Sequence, residues 1–386
     1  MASIFTEEHD MLRQSIRRYV EAEITPNTEK WEADGRIPRS VFKSLADMGA
    51  LGVRVSEEGG GSGLDFTHTA VMVQELVRCG SIGVGVSVMA HCEFATKVID
   101  RAGNQDLRDR FVRPAIEGRL IGGLGVTEPD AGSDVAALRT RADRDGDHYV
   151  INGAKTFITN GNIADFVTTA VRTGGAGHRG ISLIVIPTDT PGFTRVGPLK
   201  KIGTHASDTA ELRFEECRVP AANLVGEENA GFKYIMQGFE TERLVLALFI
   251  CSQMRLMWEE AQRYGHERKT FGRPLLGNQV WRHRLADRLT TIEAAEALMY
   301  RAIDMFVKGE PCNAEISMAK LFAGEASLEV AHDCAQIFGG NSHMEEYLIG
   351  RLFRDSLAFT IGAGTSEMMR EIIAKTRGLV PESSNA

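Results

Sequence analysis

The sequence predicts an α+β chain of three domains: helical over residues 1–120, β over residues 121–229 and a helical bundle over residues 230–386. Three observations carry that division. Apolar residues recur at helical spacing in the first part, alternate with polar ones between Gly, Pro and Asn in the second, and return to long helical stripes in the third. With 386 residues, 43% hydrophobic and 25% charged, the chain can build a proper core in each part.

Leu12, Ile16, Tyr19 and Val20 make one helical stripe that ends at Pro26, and Val41, Phe42, Leu45 and Met48 make another. Further helices are predicted near residues 67–79, 84–102 and 107–117, with the glycine-rich "EEGGGSGLD" at 57–65 as a loop between them. In the second part "HYVINGAKTFITNG", "DFVTTAVRT", "ISLIVIP" and "TAELRFEECRVP" read as strands. Ala210, Leu212 and Phe214 fall on one side of the last strand, and Glu211, Arg213 and Glu215 on the other. In the third part helices are predicted over 232–267, 279–307, 313–338 and 345–357, in a bundle architecture. A last helix follows Thr365, which caps it, with Glu367 in its first turn, and "VPESSNA" reads as a frayed tail.

Forty-four basic against fifty-two acidic residues leave a net charge of -8, so nothing draws the whole chain to nucleic acid or anionic lipid. A local basic patch for a phosphorylated ligand is compatible with that balance. Cys79, Cys92, Cys217, Cys251, Cys312 and Cys334 are widely spaced, with no C-x-x-C pair and no His cluster at metal spacing. Neither a zinc site nor a disulfide framework is indicated, and reduced thiols are expected. The start, "MASIFTEEHD", lacks the basic and apolar character of a secretion signal, and no apolar run is expected to reach membrane-spanning length. The expectation is a soluble cytoplasmic protein.

"GAGHRG" at 175–180 matches the G-x-G-x-x-G dinucleotide pattern, but "ISLIVIP" follows it, a strand where a helix is required, so it reads as a connection between strands. "GVTEPDAGSD" at 125–134 is either a surface loop or a loop offering amides and the Thr127 and Ser133 hydroxyls to a flat, acceptor-rich ring. "FITNG" at 157–161 is a strand running into an Asn-Gly hairpin turn, or a place where Phe157 covers an aromatic ring. "ERKTFGRPLLGNQ" at 267–279 sets Arg268, Lys269 and Arg273 near a helix end, as a solvated connection or a pyrophosphate site at Arg268. "IGAGTSEM" at 361–368 is a glycine turn between packed helices, or a bulk-free helix N-terminus where a ligand approaches closely.

Glu242, in "GFETERLVLALF", is the sharpest oddity. Phe239, Val245, Leu246 and Phe249 share its helix face, so a carboxylate projects from an apolar stripe, while Glu240 and Arg243 lie elsewhere as an i,i+3 pair. Desolvation there raises a carboxyl pKa toward that of a useful base; the alternative is a side chain that reaches solvent or pairs with an Arg.

Taken in order, "VTEPDAGSD", "FITNG", "DTAELRFEECRVP", "ERKTFG", "QIFGGN" and "GAGTSE" resemble the acyl-CoA dehydrogenase family, and the likeness runs from "FTEEHDMLRQSIRRYV" to "REIIAKTRGL". The resemblance implies an N-terminal α-helical domain, a β-barrel-like middle domain and a C-terminal four-helix bundle, assembled as an FAD-containing homotetramer. It implies that Leu124, Gly125, Val126, Thr127 and Ser133, with Phe157, Ile158 and Thr159, border the isoalloxazine ring, and that Thr127 and Thr159 hydrogen-bond to it. Arg268 and Gln279, with Gln336, Ile337, Phe338, Gly339 and Gly340 of a neighbouring subunit, would hold the pyrophosphate and adenosine; Thr365, Ser366 and Glu367 would complete the site. Ser133 and Arg243 match positions that contact CoA, and Glu240 replaces the common Asp. Phe157 replaces a common Trp, and Ser342 and His343 stand where Gly-Tyr is usual.

Many members of that family carry the catalytic Glu just before the Gly-Thr of the last motif, where this chain has Ala363. The isovaleryl-CoA and long-chain members place it within an "ER-L" sequence of the first bundle helix, which "ETERLVLA" matches at Glu242. The implied reaction is α,β-dehydrogenation of an acyl-CoA to a trans-2-enoyl-CoA. Glu242 takes the α-proton, the β-hydrogen leaves as hydride to flavin N5, and the Ala363 amide in the turn to Gly364 polarises the thioester carbonyl. A branched or medium to long acyl chain and an electron-transfer flavoprotein as acceptor are expected. An oxidase or monooxygenase of the same fold, or a dehydrogenase of acyl-carrier-protein thioesters, stays open.

Overall fold

A computed structural model describes residues 4–381; residues 1–3 and most of the C-terminal tail, 382–386, lie outside it. The first helix, Glu7–Tyr19, starts on a reciprocal cap in which the Thr6 N–H donates to His9 Nδ1 at 3.0 Å. Contrary to the sequence expectation, Pro26 does not end it. The coil widens over Val20–Ile24, tightens over Thr25–Asn27 and resumes as Thr28–Asp34, since Pro26 sits in the first turn of a new segment, where a missing N–H costs nothing. Arg39–Asp47 and Phe66–Val77 follow, then a long helix, Ile82–Met89, Ala90–Thr96 and Lys97–Ala102, whose middle segment has wider, π-type turns.

His9, Asp65 and His68 meet between the first helix and Phe66–Val77, with ligating atoms within 4.8 Å of one another, a cluster hidden from sequence spacing. Its bonds are those of a clasp. The Thr6 N–H needs the Nδ1 lone pair, so His9 carries its proton on Nε2, which donates to Thr67 Oγ1 at 2.6 Å; the Thr67 hydroxyl in turn reaches Asp65. Burial, then the neighbouring His68, lower the His9 pKa. The folded protein therefore keeps this ring neutral while the unfolded chain binds a proton below about pH 6.5, so the clasp contributes full stability above that pH and loses it as pH falls. Hydrogen exchange of the Glu7–Tyr19 amides, corrected for intrinsic rates, is expected to be faster at about pH 5.5 than at about pH 7.5. That difference is expected to vanish in His9→Gln.

The stretch Ile82–Ala102, 21 residues, is long and apolar enough to cross a membrane by length and composition, which corrects the expectation that no run reaches that size. Most of it is buried inside the protein, as a core helix. Gly85 explains its close packing: a Cβ there would lie 2.4 Å from the Phe249 ring.

The sheet contains β1 (Gly122–Gly125), β2 (Arg141–Asp145), β3 (His148–Thr159), β4 (Phe166–Arg172), β5 (Ile181–Pro187), β6 (Phe193–Val196) and β7 (Thr209–Pro220). The four long strands match the predicted runs; β1, β2 and β6 are too short or too polar to show in the sequence. Strand order is β1-β4-β2-β3-β7-β6 with β5 paired to β4, so the sheet is an open path rather than a closed barrel. The 175–180 stretch connects antiparallel β4 and β5, as expected of a false dinucleotide match. Asn160-Gly161 forms a turn but not a hairpin, because β3 pairs with β7 and not with β4. Buried Asn160, at positive φ, instead donates to the Ser87 carbonyl at 2.9 Å and ties sheet to helix.

Helix Gly231–Glu267 begins flat against β5: a Cβ on Gly231 would come within 2.6 Å of the Ser182 backbone. It packs with Gln279–Val307 and Asn313–Phe338, and the shorter Leu348–Ser356 and Ser366–Thr376 complete the bundle. The predicted start of the fourth helix at 345 is three residues early.

Candidate active site

Two backbone features build one wall. Between Lys155 and Ile158, β3 carries one more residue than β7 opposite, a bulge in which Phe157 adopts φ 58°. Lys155 and Ile158 stay in the core while the Phe157 ring turns out to 69% exposure. An aromatic residue held in the left-handed region costs about 1–3 kcal/mol, the kind of strain that gathers at ligand sites. Beside it runs the 125–134 loop, with the Thr156 N–H donating to the Thr127 carbonyl at 2.9 Å.

That loop is fixed from within by an ion pair that sequence reading missed. Lys155 Nζ donates to Glu128 Oε1 at 2.7 Å and to the Val126 carbonyl at 3.1 Å, and the same carboxylate accepts the Arg139 and Thr140 N–H groups at 2.6 and 3.0 Å. Both side chains are buried. Burial drives the Lys155 pKa down to about 8, opposed by Glu128. Burial alone would raise Glu128, but Lys155 and the N–H donors hold it below its ordinary value. The pair joins residues 27 apart in sequence, so no local pattern marks it.

Leu124 and Phe239 pack in one apolar cluster, which brings the β wall to helix Gly231–Glu267. One turn past Phe239 stands Glu242, and one turn further Leu246, whose Cδ2 lies 3.7 Å from a Cβ built on Gly362. Thus one face of this helix carries Glu242 between Phe239, at the Leu124 cluster, and Leu246, at the 362–364 turn. Glu242 is half-buried, and among the described residues no side chain pairs with its carboxylate. Desolvation raises its pKa to about 7, with Arg243 pulling it down. An unpaired, partly exposed carboxylate with that affinity for protons has the properties of a general base.

The expected Glu240–Arg243 ion pair does not form: among the described residues no carboxylate lies within ion-pair distance of Arg243. Arg243, 7% exposed, donates to Asn313 Oδ1 at 3.5 Å, lies over the Phe239 ring and leaves Nε without a partner. A buried guanidinium N–H left unpaired is costly unless a ligand oxygen meets it.

Thr365 caps Ser366–Thr376 by accepting the Met368 N–H at 3.3 Å. Ala363, with φ 52°, and Gly364, with φ 97°, form the preceding turn. Among the described residues the N–H groups of Ala363, Gly364 and Thr365 have no acceptor. Glu367 is exposed in the first turn and Ser366 is buried with its hydroxyl unpartnered.

The remaining expected residues lie elsewhere. Arg268 and Gln279 flank a tight hairpin, Lys269–Thr270 with Arg273–Pro274, whose tip is the fully exposed Phe271 at φ 50°. Gln336, Gly339 and Gly340 are exposed at the same end of the bundle, where Phe338 stacks on Tyr264 with centroids 4.1 Å apart. Ile337 and Phe338 are buried in their own chain, so only their backbone is available to a cofactor, and the Ile158 side chain likewise faces the β core. Ser133 is exposed on its loop. Arg268, just past the end of the helix that carries Glu242, is 26 residues beyond it, about 39 Å at 1.5 Å per residue. These two groups of residues therefore lie far apart along the helix.

Profiles described as acyl-CoA dehydrogenase N-terminal, middle and C-terminal domains match residues 6–119, 123–217 and 229–377. The chain is 36% identical over 375 residues to the long-chain specific acyl-CoA dehydrogenase, mitochondrial, of Sus scrofa, covering 96% of this chain and 87% of that protein. A crystal structure of a probable acyl-CoA dehydrogenase from Mycobacterium abscessus superposes with a TM-score of 0.95 at 46% identity, covering 97% of this chain and 100% of that one. A glutaryl-CoA dehydrogenase from Mycobacterium smegmatis in complex with FADH2 gives 0.91 at 27% identity, covering 97% and 96%. The open aromatic face of Phe157 and the unpartnered amides at 363–365 fit a flavin ring and its acceptor atoms. Three matching domains and relatives spanning nearly the full length show the family: the chain belongs to the acyl-CoA dehydrogenase family, FAD-dependent oxidoreductases acting on acyl-CoA thioesters.

Proposed function

We propose that Glu242 is the base that removes the α-proton of a branched or medium to long acyl-CoA, giving the trans-2-enoyl-CoA. The supporting observation is the half-buried carboxylate, unpaired among the described residues, on the helix face between the Leu124 cluster and the 362–364 turn, with its pKa near 7. Thr127, Thr159 and Phe157 would hold and cover the flavin ring, with Thr365 to Glu367 at its edge. FAD, when bound, supplies the acceptor for the β-hydrogen. The Ala363 N–H, without an acceptor among the described residues, would donate to the thioester oxygen and acidify the α C–H, and Arg243 would turn its unpartnered Nε to the CoA part. Gly362 and Ala363 put little side-chain bulk in this turn, which favours a branched or bulky acyl chain. The separation of Arg268 from Glu242 supports an assembly, a tetramer in our reading, in which the hairpin of one copy reaches the adenosine end of another copy's FAD. An electron-transfer flavoprotein is the proposed acceptor.

The test is anaerobic mixing of FAD-loaded protein with linear and branched acyl-CoAs of graded length, following flavin absorbance. Bleaching by branched or longer members is expected. Bleaching by none of them would overturn the proposal in favour of a carrier-protein thioester or another flavin reaction, and fast reoxidation in air would favour an oxidase.

A further inference from the structure

The helix Asn313–Phe338 carries a lysine that the mechanism above does not use. Lys320 has no exposed surface, and its ammonium donates to the Gly364 carbonyl at 2.6 Å. A fully buried ammonium is costly to keep, and a single backbone carbonyl is a modest return for it in stability alone. One turn along the same helix, Gly324 brings the backbone close to the same segment: a Cβ there would lie 3.0 Å from the Phe359 carbonyl oxygen. Phe359 itself is buried in the main core. The segment from Phe359 to Thr365 is therefore clamped by this helix at two points, by direct contact at its start and by the Lys320 ammonium at its end. Between them lie the exposed Gly362, the strained, half-buried Ala363 and the half-buried Gly364, with the Ser366 N–H closing the loop onto the Thr360 carbonyl at 3.0 Å. Ala363, a non-glycine residue at positive φ, keeps that conformation only where its surroundings hold it, and about 0.5–1 Å of added freedom is enough to spoil a hydrogen bond aimed at a developing negative charge.

We propose that Lys320 is a positioning residue: by fixing the Gly364 carbonyl it locks the 362–364 turn so that the Ala363 N–H meets the thioester oxygen as negative charge develops there. This rests on the reading of Ala363 given above. It assigns the buried ammonium to the turn's geometry, one element removed from the reacting atoms, since among the described residues Lys320 bonds only the backbone of that turn.

The test uses FAD-loaded Lys320→Met and three ligands: an acyl-CoA that bleaches the parent, a 3-thia-acyl-CoA of the same length, and the S-alkyl-CoA thioether of that length, which has no carbonyl. Three results are expected together. The bleaching rate falls at least tenfold, the pH at which the bound 3-thia-acyl-CoA gives its enolate–flavin charge-transfer band rises by about a unit or more, and the affinity for the thioether stays within about twofold. Parent-like bleaching and enolisation in Lys320→Met would overturn the proposal while leaving the Ala363 reading intact. Equal loss of affinity for thioether and thioester would also overturn it, by showing a general structural role. If the parent itself gives neither bleaching nor a band with any thioester, the underlying reading fails instead. Should Lys320→Met not retain FAD, Lys320→Gln, which keeps an N–H donor of shorter reach, is read by the same three ligands.

Discussion

Glu242→Gln is expected to slow acyl-CoA-dependent flavin bleaching by about 10²–10⁴-fold, the range a positioned acid or base contributes. The amide is nearly isosteric and removes no packing from the Phe239, Val245 and Phe249 face, so FAD content and unfolding midpoint are expected to stay close to the parent's. The parent's rate should rise with pH through the Glu242 pKa, near 7 in the free protein, because only the carboxylate takes the α-proton and burial disfavours that charged form. In Glu242→Gln that limb of the profile should disappear. Stopped-flow reduction across about pH 5.5–9 checks both statements.

The second large effect is on stability. Lys155→Met removes the cation from a buried carboxylate and is expected to cost about 3–5 kcal/mol, since Glu128 would remain charged inside the protein with only the Arg139 and Thr140 N–H groups for company. The 125–134 loop loses its inner anchor at the same time, so FAD retention should weaken along with the unfolding midpoint. Lys155→Met combined with Glu128→Gln is expected to regain a substantial part of the loss, because the uncompensated charge is gone. Urea unfolding of the FAD-loaded variants and flavin release on dilution measure the two consequences separately.

The fold was legible where each element carries its own pattern. The alternation of Ala210, Leu212 and Phe214 marked β7 as far as the bulge near Glu216, where the Asn152 side chain donates to the Glu216 carboxylate and accepts the Glu216 N–H. The long bundle helices were readable almost to the residue because their apolar stripes run for many turns. Short strands without a stripe, such as Gly122–Gly125, take their place only from the partner strand, here β4, and local sequence does not record it. The candidate site divides in the same way. Glu242 was visible as a carboxylate on an apolar stripe, and the 361–368 stretch as two glycines before a capped helix. Lys155 with Glu128, Lys320 with Gly364, and His9 with Asp65 and His68 were not, since each is a contact between distant parts of the chain. Phe271 was a missed signal of another kind: an aromatic residue before glycine in a charged connection is a poor choice for a solvated loop, and the structure leaves its ring in the open.

The central claim, that the proton acceptor is Glu242 on the first bundle helix while Ala363 contributes only backbone, can be tested without any redox step. A 3-thia-acyl-CoA has no β-hydrogen to lose, so incubation with the FAD-loaded protein in deuterium oxide reads α-proton removal alone, by the loss of the α-hydrogen NMR signal. The expected result is wash-out by the parent and none above background by Glu242→Gln at equal ligand occupancy. Wash-out at the parent rate by Glu242→Gln would contradict the account and place the base elsewhere.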